Sequence, residues 1–305
     1  MFKAHAALFI VNAIYGANYV IAKGLMPDVI GPSGFILLRV IGACLLFWLV
    51  FSFSWEKVLL KDLARMALCA VFGVAMNQLF FFNGLSLTSP INASVIMTST
   101  PIIVLVMASI ILGERITWLR SVGVLVGAIG AVALILSTGG EASTATERGD
   151  LFILINATSY SLYLVTVKPL MLKYRPLTVI TWIFTFGLVF VLPFGFGQFL
   201  EVAWSALTMA DILSMGFVVL CTTFLAYLLN IFALKIVSPT ISSSYIYLQP
   251  LLAGSFALWY SSSGFLQGLF GREADYSNDI TLFKVFCALF IFVGVYLVSK
   301  PVVKQ

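Results

Sequence analysis

The amino-acid sequence predicts an all-α integral membrane protein of ten transmembrane helices, arranged as a 5+5 inverted-topology repeat with the N-terminus and C-terminus cytoplasmic. Three observations lead there. Of the 305 residues, 61% are hydrophobic and 10% charged, with a mean hydropathy of +1.09; a soluble domain carries roughly 25% charged residues. Apolar runs recur along the whole chain at close to the about 20 residues that a spanning helix needs. Strings of the first half return in the second.

The first run, Met1–Gly24, has one early lysine, stays apolar past Tyr19 and lacks a small-residue cleavage site, so it reads as a retained span over 4–24. Further spans are predicted over 34–53, 64–85, 90–112, 119–138, 150–172, 177–199, 210–235, 239–261 and 281–299. Their backbone polar groups must be satisfied inside each segment, which requires helices, and the period-2 alternation of a barrel is absent. The connections are short, as between antiparallel neighbours.

Basic residues near helix ends set the orientation. With the N-terminus inside, the inner face holds Lys3, Lys57, Lys61, Arg65, Arg115, Arg120, Lys168, Lys173, Arg175, Lys235, Lys300 and Lys304. The outer face then holds Lys23, Arg39, Arg148, Arg272 and Lys284, so all 17 are placed, 12 against 5. The net charge of +5 therefore reports topology and not nucleic-acid binding. Trp48, Trp55, Trp118, Trp182, Trp204 and Trp259 all fall near predicted helix ends, as in an interfacial belt. Cys44, Cys69, Cys221 and Cys287 lie in apolar segments without metal-ligand spacing and read as small packing groups. The sequons at Asn92 and Asn156 fall within spans and carry no meaning.

Residues 85–101, LSLTSPINASVIMTSTP, align with residues 234–250, LKIVSPTISSSYIYLQP, pairing Ser89 with Ser238, Pro90 with Pro239 and Pro101 with Pro250. Tyr15 pairs likewise with Tyr160, Lys23 with Lys168, Ile116-Thr117 with Ile280-Thr281 and Gly130 with Gly294. The division is a first repeat over 1–138, an external linker over 139–149 and a second repeat over 150–305, with an external insertion near 262–279. Five helices per half turn the second repeat upside down, an arrangement typical of secondary transporters whose site lies near the midplane. Ser89 and Ser238 are predicted helix caps with Pro90 and Pro239 at the first helical position. Pro101 and Pro250 then lie about 16 Å deeper. There they would free the carbonyls of Met97 and Ile246 and act as a pair of hinges, or serve packing alone.

With YGANYVIAK (Tyr15–Lys23), ASVIMTSTPIIVLVMASIILGER (Ala93–Arg115) and the SP…QP pattern of the ninth span, the whole chain resembles the drug/metabolite transporter superfamily, specifically its EamA-type ten-helix members. The resemblance implies a 5+5 inverted-repeat carrier, often an exporter of amino acids, other small metabolites or drugs. It also implies a central cavity lined by helices 1, 3, 4, 6, 8 and 9. The family commonly repeats Gly113-Glu114 at the end of the ninth helix, where this chain has Ser262 and Ser263 and then the insertion. Phe265, Leu266, Leu269 and Phe270 fall on one helical face, which suggests a short amphipathic segment at the outer surface.

Polar side chains within spans usually face the bundle interior. The candidate substrate-binding set is Asn12, Tyr15, Asn18 and Tyr19 of the first helix and Asn77 and Gln78 of the third, with Ser94 and Thr98 of the fourth. Asn156, Tyr160 and Tyr163 of the sixth join it, with Tyr227 and Asn230 of the eighth and Tyr245 and Gln249 of the ninth. Uncharged donors and acceptors beside aromatic faces suit a neutral, zwitterionic or aromatic solute, amino acid-like in kind. Each residue alone serves an interhelical hydrogen bond equally well. Gly123, Gly127 and Ala131 form a small-residue packing ridge, and Arg39, at the start of the second helix, can snorkel outward or bind an anion.

The expected function is thus a secondary metabolite carrier, an exporter working by alternating access, in the cell's inner (plasma) membrane. A sugar-phosphate or nucleotide-sugar exchanger would want a cluster of deep cations. A membrane enzyme would want a carboxylate pair or a histidine centre, and the one histidine is His5. No catalytic residue, metal or cofactor is expected. Solute and membrane lipid are the expected partners, nucleic acid is not, and a homodimer is compatible with the sequence. With every acid in a loop or near a helix end, the carrier is expected to run downhill or by exchange without an obligatory proton.

Overall fold

The computed structural model describes residues 1–23, 25–26, 28–53, 55–87, 96–137, 147–270 and 282–300. Among these there are helices and no strand. The first half contains α1 (Phe2–Lys23), α2 (Pro32–Phe51), α3 (Leu60–Ala70), a π-helical stretch Val71–Met76, α4 (Asn77–Leu87), α5 (Thr100–Leu112) and α6 (Trp118–Ser137). The second contains α7 (Glu147–Lys173), α8 (Pro176–Leu200), α9 (Met209–Phe217), a second π stretch Val218–Leu225, and α10 (Ala226–Ile236). After it come α11 (Pro239–Ser244), a 3₁₀ turn Tyr245–Leu248, α12 (Gln249–Ser262), α13 (Gly264–Phe270) and α14 (Leu282–Ser299). Among the described residues, five continuous helices are long and apolar enough to cross a membrane: Pro32–Phe51, Leu60–Leu85, Glu147–Lys173, Pro176–Leu200 and Met209–Ile236.

Local chemistry sets the helix ends. Proline opens α2, α8 and α11, where its missing N–H costs no helical hydrogen bond. The Ser238 hydroxyl accepts from the Ile241 N–H at 3.4 Å, as the Ser-Pro reading requires, whereas Ser89 and Pro90 lie outside the described residues. Gly113 ends α5 at φ +67°, a left-handed conformation that glycine adopts without strain. Its counterpart Ser262 closes α12 into an extended Ser263 instead.

The packing is reciprocal between the halves. Helix α2 lies against α8, and α6 against α14; α4 packs on α7 where its counterpart α10 packs on α1, and α5 on α7 where α12 packs on α1. The α2–α8 pair is tied at both ends by exchanged caps. Gln198, near the end of α8, accepts from the Ser33 and Gly34 N–H groups at 2.8 and 3.1 Å, at the start of α2. Glu56, just past the end of α2, accepts from the Arg175 N–H at 3.1 Å and from the Thr178 hydroxyl, at the start of α8. The two helices therefore run antiparallel. So do α6 and α14: a Cβ on Gly123 would meet Leu297, and one on Gly130 would meet Phe290. A Cβ on Gly294 would lie 2.5 Å from the Gly127 nitrogen, so the small-residue ridge is a close backbone contact.

The two deep prolines differ from kinks within continuous helices. Pro101 sits in the first turn of α5, after a turn at Thr98–Ser99, and Pro250 in the first turn of α12, after the 3₁₀ stretch. Each helix is broken and restarted, because proline fits a first turn better than an interior. The predicted amphipathic segment is helical over Gly264–Phe270: Leu266 is buried, Phe265 is exposed, and the Phe270 ring lies 6.2 Å from Phe217. The rest of the insertion lies outside the described residues.

Candidate functional site

Helices α3–α4 and α9–α10 are each interrupted at mid-length by a π stretch, at repeat-related positions. A π stretch displaces carbonyls from regular i→i+4 pairing. Side chains from other helices occupy two of them: the Ser159 hydroxyl donates to the Phe72 carbonyl at 2.7 Å, and the Tyr227 hydroxyl to the Gly73 carbonyl at 3.3 Å. Gly73 has no Cβ because the Tyr163 ring fills that space.

Around this point the predicted residues fall into linked groups. Asn230 donates to the Tyr160 hydroxyl at 3.0 Å and accepts from the Ser242 hydroxyl at 3.1 Å, joining α7, α10 and α11. The Tyr160 and Tyr163 rings lie 6.0 Å apart. Asn156 is buried and donates to the Asn77 carbonyl at 2.5 Å, while its own carbonyl oxygen finds no partner. Gln78 is 3% exposed beside the Tyr227 hydroxyl, and its amide nitrogen and oxygen make no well-formed hydrogen bond. Asn12 donates to the Leu8 carbonyl at 2.7 Å and accepts from Gln249 at 3.0 Å, tying α1 to α12. Tyr15 lies in the neighbourhood of Tyr160, Tyr227 and Arg39.

Other members stand apart. Tyr245 meets His5, hydroxyl to Nδ1 at 2.8 Å, ten residues along α1 from Tyr15 and so about 15 Å away along the axis. Thr98 is buried in the turn before α5, and Asn18 is half-buried with an unpartnered buried oxygen. Ser94 and the Tyr19 side chain lie outside what the structure describes.

Arg39 does not snorkel. It is 5% exposed, its Nε donates to the Thr223 hydroxyl at 3.1 Å, and its guanidinium stands 5.6 Å from the Phe35 and Phe82 ring centroids. Thr223 in turn donates to the Val218 carbonyl within its π stretch, at 2.8 Å. Among the described residues no carboxylate pairs with Arg39. Sequence reasoning left its direction open between outward snorkelling and anion binding. The available signal was depth: Arg39 stands seven residues past Pro32, about 10 Å along the helix, where a charge in a span normally faces inward.

At one end of the bundle the charges are engaged. The Glu114 Oε2 accepts from Arg120 at 3.2 Å and from the Thr240 hydroxyl of α11 at 3.1 Å. Lys168 donates to the carbonyls of Leu234 and Val237, and Asp62 accepts from Lys173 and from the Tyr174 hydroxyl.

The sequence matches the EamA-like transporter family over residues 2–136 and 147–265. It is similar to a relative named an uncharacterized transporter of Archaeoglobus fulgidus, 26% identical over 265 residues, which is 84% of this chain and 89% of that one. A second A. fulgidus relative of the same name is 29% identical over 139 residues, so the match spans about half of it, 49%. A relative named a probable terminal-alkyne amino-acid exporter of Streptantibioticus cattleyicolor is 32% identical over 133 residues, 44% of each chain. A solved crystal structure superposes with a TM-score of 0.73 at 14% identity, over 98% of this chain and 97% of that one, and shares the fold.

Proposed function

The chain belongs to the EamA-like transporter family, and from that premise we propose that it exports a small amino acid-like solute by alternating access at a cavity between its two repeats. The solute is neutral, zwitterionic or aromatic. The topology is ten spans in two inverted sets of five, divided at 1–138 and 150–305, with both termini cytoplasmic in the inner (plasma) membrane. The observation that carries this reading is the convergence of Gln78, Tyr160 and Tyr227, with Tyr15 near them, from four different helices beside the two π stretches, where Tyr227 donates to the Gly73 carbonyl and Tyr160 accepts from Asn230. The antiparallel pairing of α2 with α8 and of α6 with α14 supports the inversion. The named exporter among its relatives supports the direction and the kind of cargo.

Of the sequence-predicted set, Tyr15, Gln78, Tyr160, Tyr163 and Tyr227 serve this cavity, with Asn12, Asn156, Asn230 and Gln249 holding its walls in register and Pro101 and Pro250 as the points where helices restart and can swing. The test is solute counterflow into liposomes holding the purified protein, with a panel of amino acids chosen from metabolites that differ between the media of overexpressing and deletion strains. Saturable flux of chemically unchanged solute is expected. Solute recovered only in an altered form, without flux, overturns the reading in favour of a membrane enzyme.

A further inference from the structure

We propose that Arg39 is the anchor for a carboxylate of the cargo, so that the protein selects solutes bearing one carboxylate and rejects their amides and amines. This rests on the transport reading and names the group that the site takes.

A buried cation away from water needs an anion or a full set of acceptors, because its desolvation is otherwise uncompensated. Arg39 has one acceptor, the Thr223 hydroxyl on Nε, among a guanidinium's five donors, and no carboxylate partner among the described residues. The Phe35 and Phe82 rings stand 5.6 Å from its central carbon and line its flanks without neutralising it. The terminal nitrogens thus offer the planar fork that a carboxylate matches with two parallel hydrogen bonds.

Its surroundings complete a site. Tyr15 and Tyr227 stand near the guanidinium, and the Gln78 amide is buried beside the Tyr227 hydroxyl without a well-formed hydrogen bond. The tyrosine faces suit an aromatic or ammonium portion of the same solute. A phosphate dianion would bring a second negative charge, and among the described residues no second cation stands in this group: Lys168 is committed to the Leu234 and Val237 carbonyls. The attachment of Thr223 to Arg39 and to the Val218 carbonyl also couples carboxylate binding to the second π stretch.

The experiment measures binding to the purified full-length protein, by ligand-induced thermal shift and isothermal titration, for L-amino acids and aromatic monocarboxylates beside their matched amides and decarboxylated amines. Wild type is expected to prefer at least one carboxylate over its amide by about tenfold or more. Arg39→Lys, which keeps the charge and loses the fork, should retain a reduced preference, and Arg39→Gln, checked for monodispersity, should abolish it. Equal binding of carboxylate and amide by wild type, no carboxylate bound at all, or an unchanged preference in a monodisperse Arg39→Gln each overturns the proposal. Flux of solute without carboxylate preference sinks the anchor and leaves the transport reading standing. Arg39-dependent carboxylate binding without any flux does the reverse.

Discussion

At Gly73 a single hydrogen in place of a methyl group lets the Tyr163 ring lie against the first π stretch. Gly73→Ala must therefore push the ring away, an overpacking cost of about 1–3 kcal/mol. A lower melting temperature in detergent, with weaker solute binding, is the expected outcome; an unchanged melt would mean that the ring moves freely. Tyr160 answers a different question, because its hydroxyl accepts from Asn230 while its ring lies beside that of Tyr163 in the proposed site. Tyr160→Phe keeps the ring and strands the buried Asn230 donor, at about 1–3 kcal/mol. Tyr160→Ala loses both, and solute affinity should fall further in the alanine variant than in the phenylalanine one. Titration of the two variants side by side checks the order. Most of these side chains could be read from sequence, since an uncharged polar residue within an apolar run has few reasons to face lipid. Arg39 was legible only in part: its depth favours the interior, but a long side chain can still reach water, and the rotation of α2 decides between them.

Among the elements, the described helix positions were legible because apolar length and the Ser238-Pro239 cap are local properties. The two π stretches were not. Apart from Gly73 and the Thr222-Thr223 pair, VFGVAM and VVLCTTFL read as ordinary apolar runs, and the stretches are held by partners distant in sequence, Ser159, Tyr227 and Arg39. Pro101 and Pro250 sit in the first turns of restarted helices and not at bends within continuous ones. In a first turn the missing N–H costs nothing, so Pro101→Ala and Pro250→Ala should change stability by under about 1 kcal/mol. What alanine permits is a helix continuing through the break, with loss of the swing there. Counterflow should therefore fall several-fold while the melting temperature holds. Full transport by both variants would remove the prolines from the mechanism.

For the whole molecule, acids and cavity are kept apart. Glu114 is paired with Arg120, Asp62 with Lys173 and Arg65, and among the described residues no carboxylate joins Tyr15, Arg39 and Tyr227. Solute should accordingly fail to accumulate in proteoliposomes given a pH gradient alone; uphill uptake abolished by an uncoupler would contradict this. The tie of Glu114 to Thr240 has a further consequence. It joins the end of α5 to the start of α11, yet the repeat counterpart of Glu114 is Ser263. A pair of identical halves would leave the empty carrier's two open states degenerate, dividing its time evenly between the faces. A tie whose carboxylate has no repeat counterpart lifts that degeneracy, and every 1.4 kcal/mol or so of difference is about a tenfold preference. Detailed balance forbids a passive carrier from turning this preference into net pumping. The preference must instead appear as unequal half-saturation concentrations and maximal rates at the two faces, with their ratios equal. Glu114→Gln should draw the two half-saturation values together in paired right-side-out and inside-out vesicles, leaving that common ratio the same from either side.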